Sequence, residues 1–171
     1  KALQHSHRLL LILMPEDPAR AAALAERVEA EGWTLAQRCL DEEPEPDIEV
    51  FVVDNPAEYG LWYRLAPVSF LGGSLLGKGP VRTPMEAAAL GSAILHGPRT
   101  GTLGPVFGRL GAARATRAVA TANDLGDALG DLLAPDRAAR LAQAAWAVAS
   151  DGADVTQGIL TRIRTILDGG K

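Results

Sequence analysis

Cysteine is nearly absent from this sequence. Cys39 is the only one among 171 residues, which excludes an internal disulfide framework and fits a reducing compartment. It reads as a small, partly buried hydrophobe. A basic excess is missing as well. The net charge of −4 argues against affinity built on phosphate neutralisation, so no nucleic-acid partner is expected. No segment approaches the roughly 20 apolar residues that cross a bilayer. The best apolar run, Leu9 to Met14, is strand-length and stops at Pro15. There is no signal-peptide pattern, and no His/Cys/Asp cluster has metal-ligand spacing. No metal or cofactor is therefore expected. The GxGxxG fingerprint, the Walker lysine arrangement, the GxSxG elbow and a Cys/His pair are all missing, which removes the common nucleophile and phosphate-loop signatures. Repeats and linkers are missing too, so residues 1–171 read as one domain.

What is present is alternation. "RLLLILMP" reads as a buried strand, and a helix follows from about Pro18 to Glu31 with Ala22, Leu24, Ala25 and Val28 on its apolar face. "WTLAQR" fits a short strand, and "DEEPEPD" a solvated acidic loop. "IEVFVVD" is the next strand, "PAEYGLWYRLA" a short helix and "PVSFLGG" a third strong strand. Trp62 and Tyr63 are expected in a core or an interface. A helix from Pro84 to Leu90 precedes the buried strand "SAILHGP", and "AARATRAV" reads as one more strand. From "TANDLG" onward the pattern is helical. One helix starts near Asp136 with Leu141, Ala145 and Val148 on its apolar face, and a separate last helix spans about Val155 to Leu167. Such alternation predicts an α/β fold: a Rossmann-like parallel sheet with helices on both faces, its ligand site at the carboxyl ends of the strands.

Those ends are rich in glycine. In "FLGGSLLGKGPVRTPMEAAALG", Gly72-Gly73-Ser74 follows a strand, Gly77 and Gly79 flank Lys78, and Thr83-Pro84-Met85-Glu86 opens a helix. Glycines let a backbone approach a ligand, and a helix N-terminus favours an anion. Together they suggest a phosphate or nucleotide site, to which Lys78 and Arg82 could add positive charge. A tight strand-to-helix connection uses the same residues. Thr83-x-x-Glu86 also fits a capping box, in which Glu86 reaches back to the Thr83 N–H. Alternatively the Glu86 carboxylate accepts two sugar hydroxyls of a nucleotide. His5 and His7 read as surface residues, and His96, at a strand end, as a hydrogen-bonded structural residue or a site residue.

Two segments together resemble a known family. "DNPAEYGLWYRLAPVSFLGGSL" is similar to the pattern D-T-x-G-E-L, Y-x-x-A, F-V-G-G-S-L, and "RTPMEAAALGSAILHGP" to H-N-P-L-E-P-A-x-x-G-x-P-V-x-x-G-P. The family is the 3-deoxy-D-manno-octulosonic acid (Kdo) transferases of Gram-negative lipopolysaccharide synthesis. The resemblance is densest from Asp54 to Pro98. This chain differs at Pro15-Glu16-Asp17, where the family has Pro-Arg-His. It also has Arg82-Thr83 in place of His-Asn, and Thr102-Leu103 in place of Asn-Phe.

The resemblance implies the C-terminal, CMP-Kdo-binding half of a two-domain GT-B glycosyltransferase. By matching position, Gly72, Gly73, Ser74 and Glu86 would line the nucleotide pocket, with Arg82 and Thr83 beside them and Ala57 and Glu58 at a preceding turn. Arg82 would restore charge lost at Glu16 and Asp17. No catalytic residue is expected in this chain. A lipid A precursor acceptor, the catalytic carboxylate and membrane association would belong to an N-terminal half, at the cytoplasmic face of the bacterial inner membrane. The chain starts at Lys1 and is expected to be a soluble, inactive fragment. Two alternatives remain open: a UDP-sugar transferase or epimerase of GT-B architecture, and a non-catalytic nucleotide-binding or scaffolding domain.

Overall fold

The computed structural model describes residues 9–77 and 79–168. His5, His7 and Lys78 lie outside them. The chain divides into two compact units, residues 1–65 and 66–171.

The first unit is a three-stranded parallel sheet. Its strands are β1 (Leu11–Leu13), β2 (Leu35–Gln37) and β3 (Val50–Val52), with β3 in the centre. Each is short, and the centre is the β-branched and aromatic run Val50-Phe51-Val52-Val53, buried throughout. Alternation along β3 sends its side chains to two cores. Val50 and Val52 pack with Ala21 and Val28 of helix α1 (Ala21–Ala30) and with Trp33. Phe51 and Val53 pack with Ile12, Met14 and Trp62, the last from helix α2 (Tyr59–Leu65). Phe51 and Trp62 meet edge-on, with ring centroids 5.5 Å apart. Both sheet faces are thus covered by a helix. The acidic loop 41–47 is exposed along its whole length, and so, against expectation, is Cys39.

The second unit repeats the plan. β4 (Val68–Leu71), β5 (Ala93–His96) and β6 (Thr116–Ala118) form a parallel sheet with β5 in the centre. Ala93 and Leu95 point into a core with Ala128 and Leu132 of helix α5 (Ala122–Leu132) and Ala138 and Ala142 of helix α6 (Pro135–Asp168). His96, on the alternate face, meets Phe107 of helix α4 (Gly104–Ala112) in a tilted ring contact, with centroids 4.5 Å apart. Helix α3 (Pro84–Ala89) packs on β5 and α6 through Ala87 and Ala88, both fully buried. Alanine lets these helices sit close to the sheet.

Every strand pair among the described residues is parallel, as the alternation predicts. Three local readings differ. The segment before β6 is not extended from Ala112: it ends α4, a helix hidden in the sequence by Gly108 and Gly111, which lower helix propensity. The expected break near Asp151-Gly152 is not made, and α6 runs on as one 34-residue helix. A single glycine costs a helix only about 1 kcal/mol relative to alanine. The third difference is the true capping box, which opens α5. There Thr121 Oγ1 accepts from Asp124 N at 3.1 Å while Asp124 Oδ2 accepts from Thr121 N at 3.0 Å.

Leu95 is fully buried on the central strand of the second unit. Leu95→Ala is expected to lower the unfolding free energy by about 2–5 kcal/mol. Leu76→Ala, at a largely exposed position, should change it by less than about 0.5 kcal/mol. Denaturant titration followed by circular dichroism checks both.

Candidate functional site

In the second unit three loops leave the carboxyl ends of parallel strands: Gly72 onward after β4, Gly97-Pro98 after β5, and Val119-Ala120 after β6. The first two are tied by Ser74. This residue is fully buried; its hydroxyl donates to the Leu71 carbonyl and accepts the Gly97 N–H at 2.8 Å. Its carbonyl accepts the Arg99 N–H, also at 2.8 Å. The loops approach so closely that a Cβ at Gly97 would collide with the Ser74 carbonyl and Leu75 Cα. The sequence signal for Gly97 is the Gly-Pro pair directly after a buried strand.

The glycines divide by role. Gly73 adopts φ +78°, and a Cβ there would stand 2.5 Å from the Pro80 carbonyl oxygen. A Cβ on Gly77 would press on Gly73 Cα at 3.3 Å. These two glycines let the loop fold back on itself. Gly72 and Gly79 are exposed and have open space where a side chain would stand. Only this second pair leaves backbone clear for something else to approach.

At the start of α3, Thr83 Oγ1 accepts the Met85 N–H at 3.4 Å. Glu86 does not complete a capping box. It is exposed, and its Oε2 accepts from Arg82 at 2.8 Å, an i,i+4 ion pair. Arg82, Thr83 and Glu86 are therefore gathered at one helix start, with the carboxylate exposed and its cation half-buried. Beyond β6 lies a cleft of about 360 Å³ lined by Arg117, Ala118, Val119, Ala120, Asp124 and Asp127. The sequence reading did not include it, although Thr121-x-x-Asp124 marks the helix start beside it.

His96 is accounted for by structure. Its Nδ1 lies 2.8 Å from the Gly97 carbonyl and donates to it, and its Nε2 lies 3.4 Å from Thr116 Oγ1.

In the first unit, Asn55 caps a single 3-10 turn, Pro56–Glu58, by accepting the Ala57 N–H at 3.1 Å. Ala57 is exposed there. The Glu58 carboxylate is a hub, accepting from Arg38 at 3.3 Å, Asn55 at 3.2 Å and the Trp62 indole at 3.3 Å. Asp17, one of the two acids that replace the family's cation, caps the 3-10 turn Pro18–Arg20 through the Ala19 N–H at 3.1 Å. Among the described residues no group of three or more His, Cys, Asp or Glu could hold a metal ion. No helix among them is long and apolar enough to cross a membrane.

Parallel strands, covering helices and loops gathered at the carboxyl edge make this a Rossmann-like α/β protein. No family model matches the sequence. The chain is similar to the 3-deoxy-D-manno-octulosonic acid transferase of Haemophilus influenzae, with 27% identity over 162 residues, 94% of this chain and 38% of that protein. It is similar also to the enzyme of the same name from Bordetella pertussis, with 34% identity over 94 residues, 54% of this chain and 22% of that one. The chain thus spans well under half the length of these relatives. A solved structure, the C-terminal CMP-Kdo binding domain of WaaA from Acinetobacter baumannii, has the same fold. It aligns with a TM-score of 0.78 and 24% identity, covering 84% of this chain and 75% of that one. The resemblance to Kdo transferases read in the sequence is thereby borne out.

The two classes of glycine separate by substitution. Gly97→Ala forces backbone apart and should cost more than about 1–3 kcal/mol, the usual range for overpacking. Ser74→Ala strands the buried Gly97 N–H and should cost about 1–3 kcal/mol. Gly72→Ala should leave the thermal midpoint nearly unchanged, since nothing lies near its missing Cβ. Differential scanning calorimetry on the three variants checks this order.

Proposed function

We propose that this chain is the donor-binding half of a Kdo transferase, which transfers Kdo from CMP-Kdo to a lipid A precursor. The observation that carries the reading is the fold match to a domain described as binding CMP-Kdo, together with the sequence likeness to Kdo transferases along 94% of the chain. In this reading residues 1–171 work as one nucleotide-sugar-binding domain. The enzyme acts at the cytoplasmic face of the inner membrane, where its other half binds the acceptor and the membrane.

The site proposed for the nucleotide is the carboxyl edge of the second unit. Gly72 presents backbone, Gly73 turns the loop beside it, Ser74 holds that loop in place from within, and Arg82 and Thr83 flank the phosphate. Glu86 accepts the ribose hydroxyls. A carboxylate has about four lone-pair sites, so Glu86 can keep its Arg82 contact while accepting from sugar. Ala57 and Glu58, at a turn of the first unit, are proposed as nucleotide-binding residues on the resemblance alone. The Glu58 carboxylate is already committed to Arg38, Asn55 and Trp62, so its part is to hold the turn that offers Ala57. CMP is the leaving group, and departure builds negative charge on its phosphate while the sugar becomes oxocarbenium-like. Backbone N–H groups and Arg82 near that phosphate stabilise the developing charge. The base that deprotonates the acceptor hydroxyl belongs to the other half.

Calorimetric titration should show binding of CMP in preference to UDP, and no Kdo transfer by this chain alone. UDP preference would move the reading to another nucleotide-sugar enzyme. Loss of all nucleotide binding, in this chain and in the longer protein, would leave a scaffolding domain. Glu86→Gln is expected to weaken CMP at least about tenfold, because charge-assisted bonds contribute roughly 1.5–3 kcal/mol. Its thermal midpoint should barely move, since an exposed i,i+4 pair contributes only about 0.3–0.5 kcal/mol. Equal CMP affinity in the two proteins would remove Glu86 from the site.

A further inference from the structure

Arginine gathers at the opposite end of the second unit. Arg114 precedes β6, Arg117 lies within it, and Arg137 and Arg140 belong to the first turns of α6. With Asp131, Leu132 and Leu141 they line a cleft of about 280 Å³. The chain carries a net −4, yet this cleft holds four guanidinium groups against one lining carboxylate. Both oxygens of Asp131 are engaged: Oδ2 accepts from Arg117 at 2.8 Å, and Oδ1 pairs with Arg137. Arg140 is tied to Asp136 at 2.9 Å. Arg114 has no carboxylate partner among the described residues.

The backbone at Arg114 is an independent sign. Helix α4 ends in a Schellman motif: the Arg114 N–H reaches the Gly111 carbonyl at 2.9 Å and the Ala115 N–H reaches Leu110 at 2.8 Å. The residue after the cap in this motif is left-handed and is usually glycine. Here it is arginine at φ 54°. An L side chain in that conformation destabilises the fold, so local folding physics does not explain the choice. Its exposed guanidinium, set beside three others, does.

We propose that Arg114, Arg117, Arg137 and Arg140 form a binding site for a phosphate dianion carried as a monoester. The chemistry fits in three respects. Guanidinium forks match phosphate oxygens bidentately and stay charged at any physiological pH. Asp131 fixes Arg117 and Arg137 in one orientation, so less freedom is lost on binding. With Asp136 counted, the cluster carries two uncompensated positive charges, which one dianion balances. The site lies at the amino ends of the strands, away from the glycine loop, and does not depend on the nucleotide reading.

Arg114→Gly tests the proposal because its two consequences have opposite signs. Glycine relieves the left-handed conformation, so the thermal midpoint should rise by roughly 1–4 °C. Removing the guanidinium should weaken phosphate at least about tenfold, the scale of one charge-assisted bond. The full 171-residue chain is titrated with inorganic phosphate at constant ionic strength. In parallel it is sedimented with vesicles of phosphatidylcholine alone and of phosphatidylcholine with phosphatidic acid, whose headgroup is a phosphomonoester. Phosphate binding lost in Arg114→Gly supports a soluble ligand. Binding only to the phosphatidic acid vesicles, lost in the same variant, supports a lipid headgroup. Binding to neither probe, or binding to either that Arg114→Gly leaves intact, overturns the site.

Discussion

The Ser74 hydroxyl lies between two loops that leave neighbouring strands, donating to the Leu71 carbonyl in one and accepting the Gly97 N–H of the other. Much of the candidate site follows from that placement. A fully buried hydroxyl must satisfy both its proton and a lone pair inside the protein. It does so only if the loops approach closely, and this requires glycine at position 97. The close approach then turns the chain after Gly73, whose left-handed conformation and contact with Pro80 bring the loop back to α3. What remains for a ligand is the outer rim: Gly72, Gly79 and the Arg82–Glu86 pair.

The architecture was legible because it is written in periods. Buried runs such as Val50 to Val53 and Ala93 to His96 have the length and composition of parallel strands, and the helices between them show an apolar face. Helix α4 was not legible, because Gly108 and Gly111 weaken the pattern and only packing against β6, α6 and the His96 ring restores it. The continuity of α6 was hidden for a related reason: Asp151-Gly152 reads as a stop, while a helix already nucleated passes through one glycine at small cost.

The site was legible in type and less so in detail. Glycine after a strand signals a tight passage, but sequence does not say whether the space is taken by protein or kept for a ligand. Gly72 and Gly73 are adjacent and fall on opposite sides of that distinction. Polar residues posed the same difficulty. Thr83-x-x-Glu86 has the spacing of a capping box, yet Arg82 one turn earlier competes for the carboxylate and takes it, whereas Thr121-x-x-Asp124 has no such competitor and closes the box. Spacing identifies candidate partners; a nearby cation decides between them.

The placement of tryptophan has a practical consequence. The chain has three, Trp33, Trp62 and Trp146. Two pack in the cores of the first unit, where Trp62 also donates to Glu58, while Trp146 on α6 is largely exposed. Intrinsic fluorescence therefore follows melting of the first unit and is nearly blind to the second. An emission curve taken alone reports the half that lacks the glycine loop.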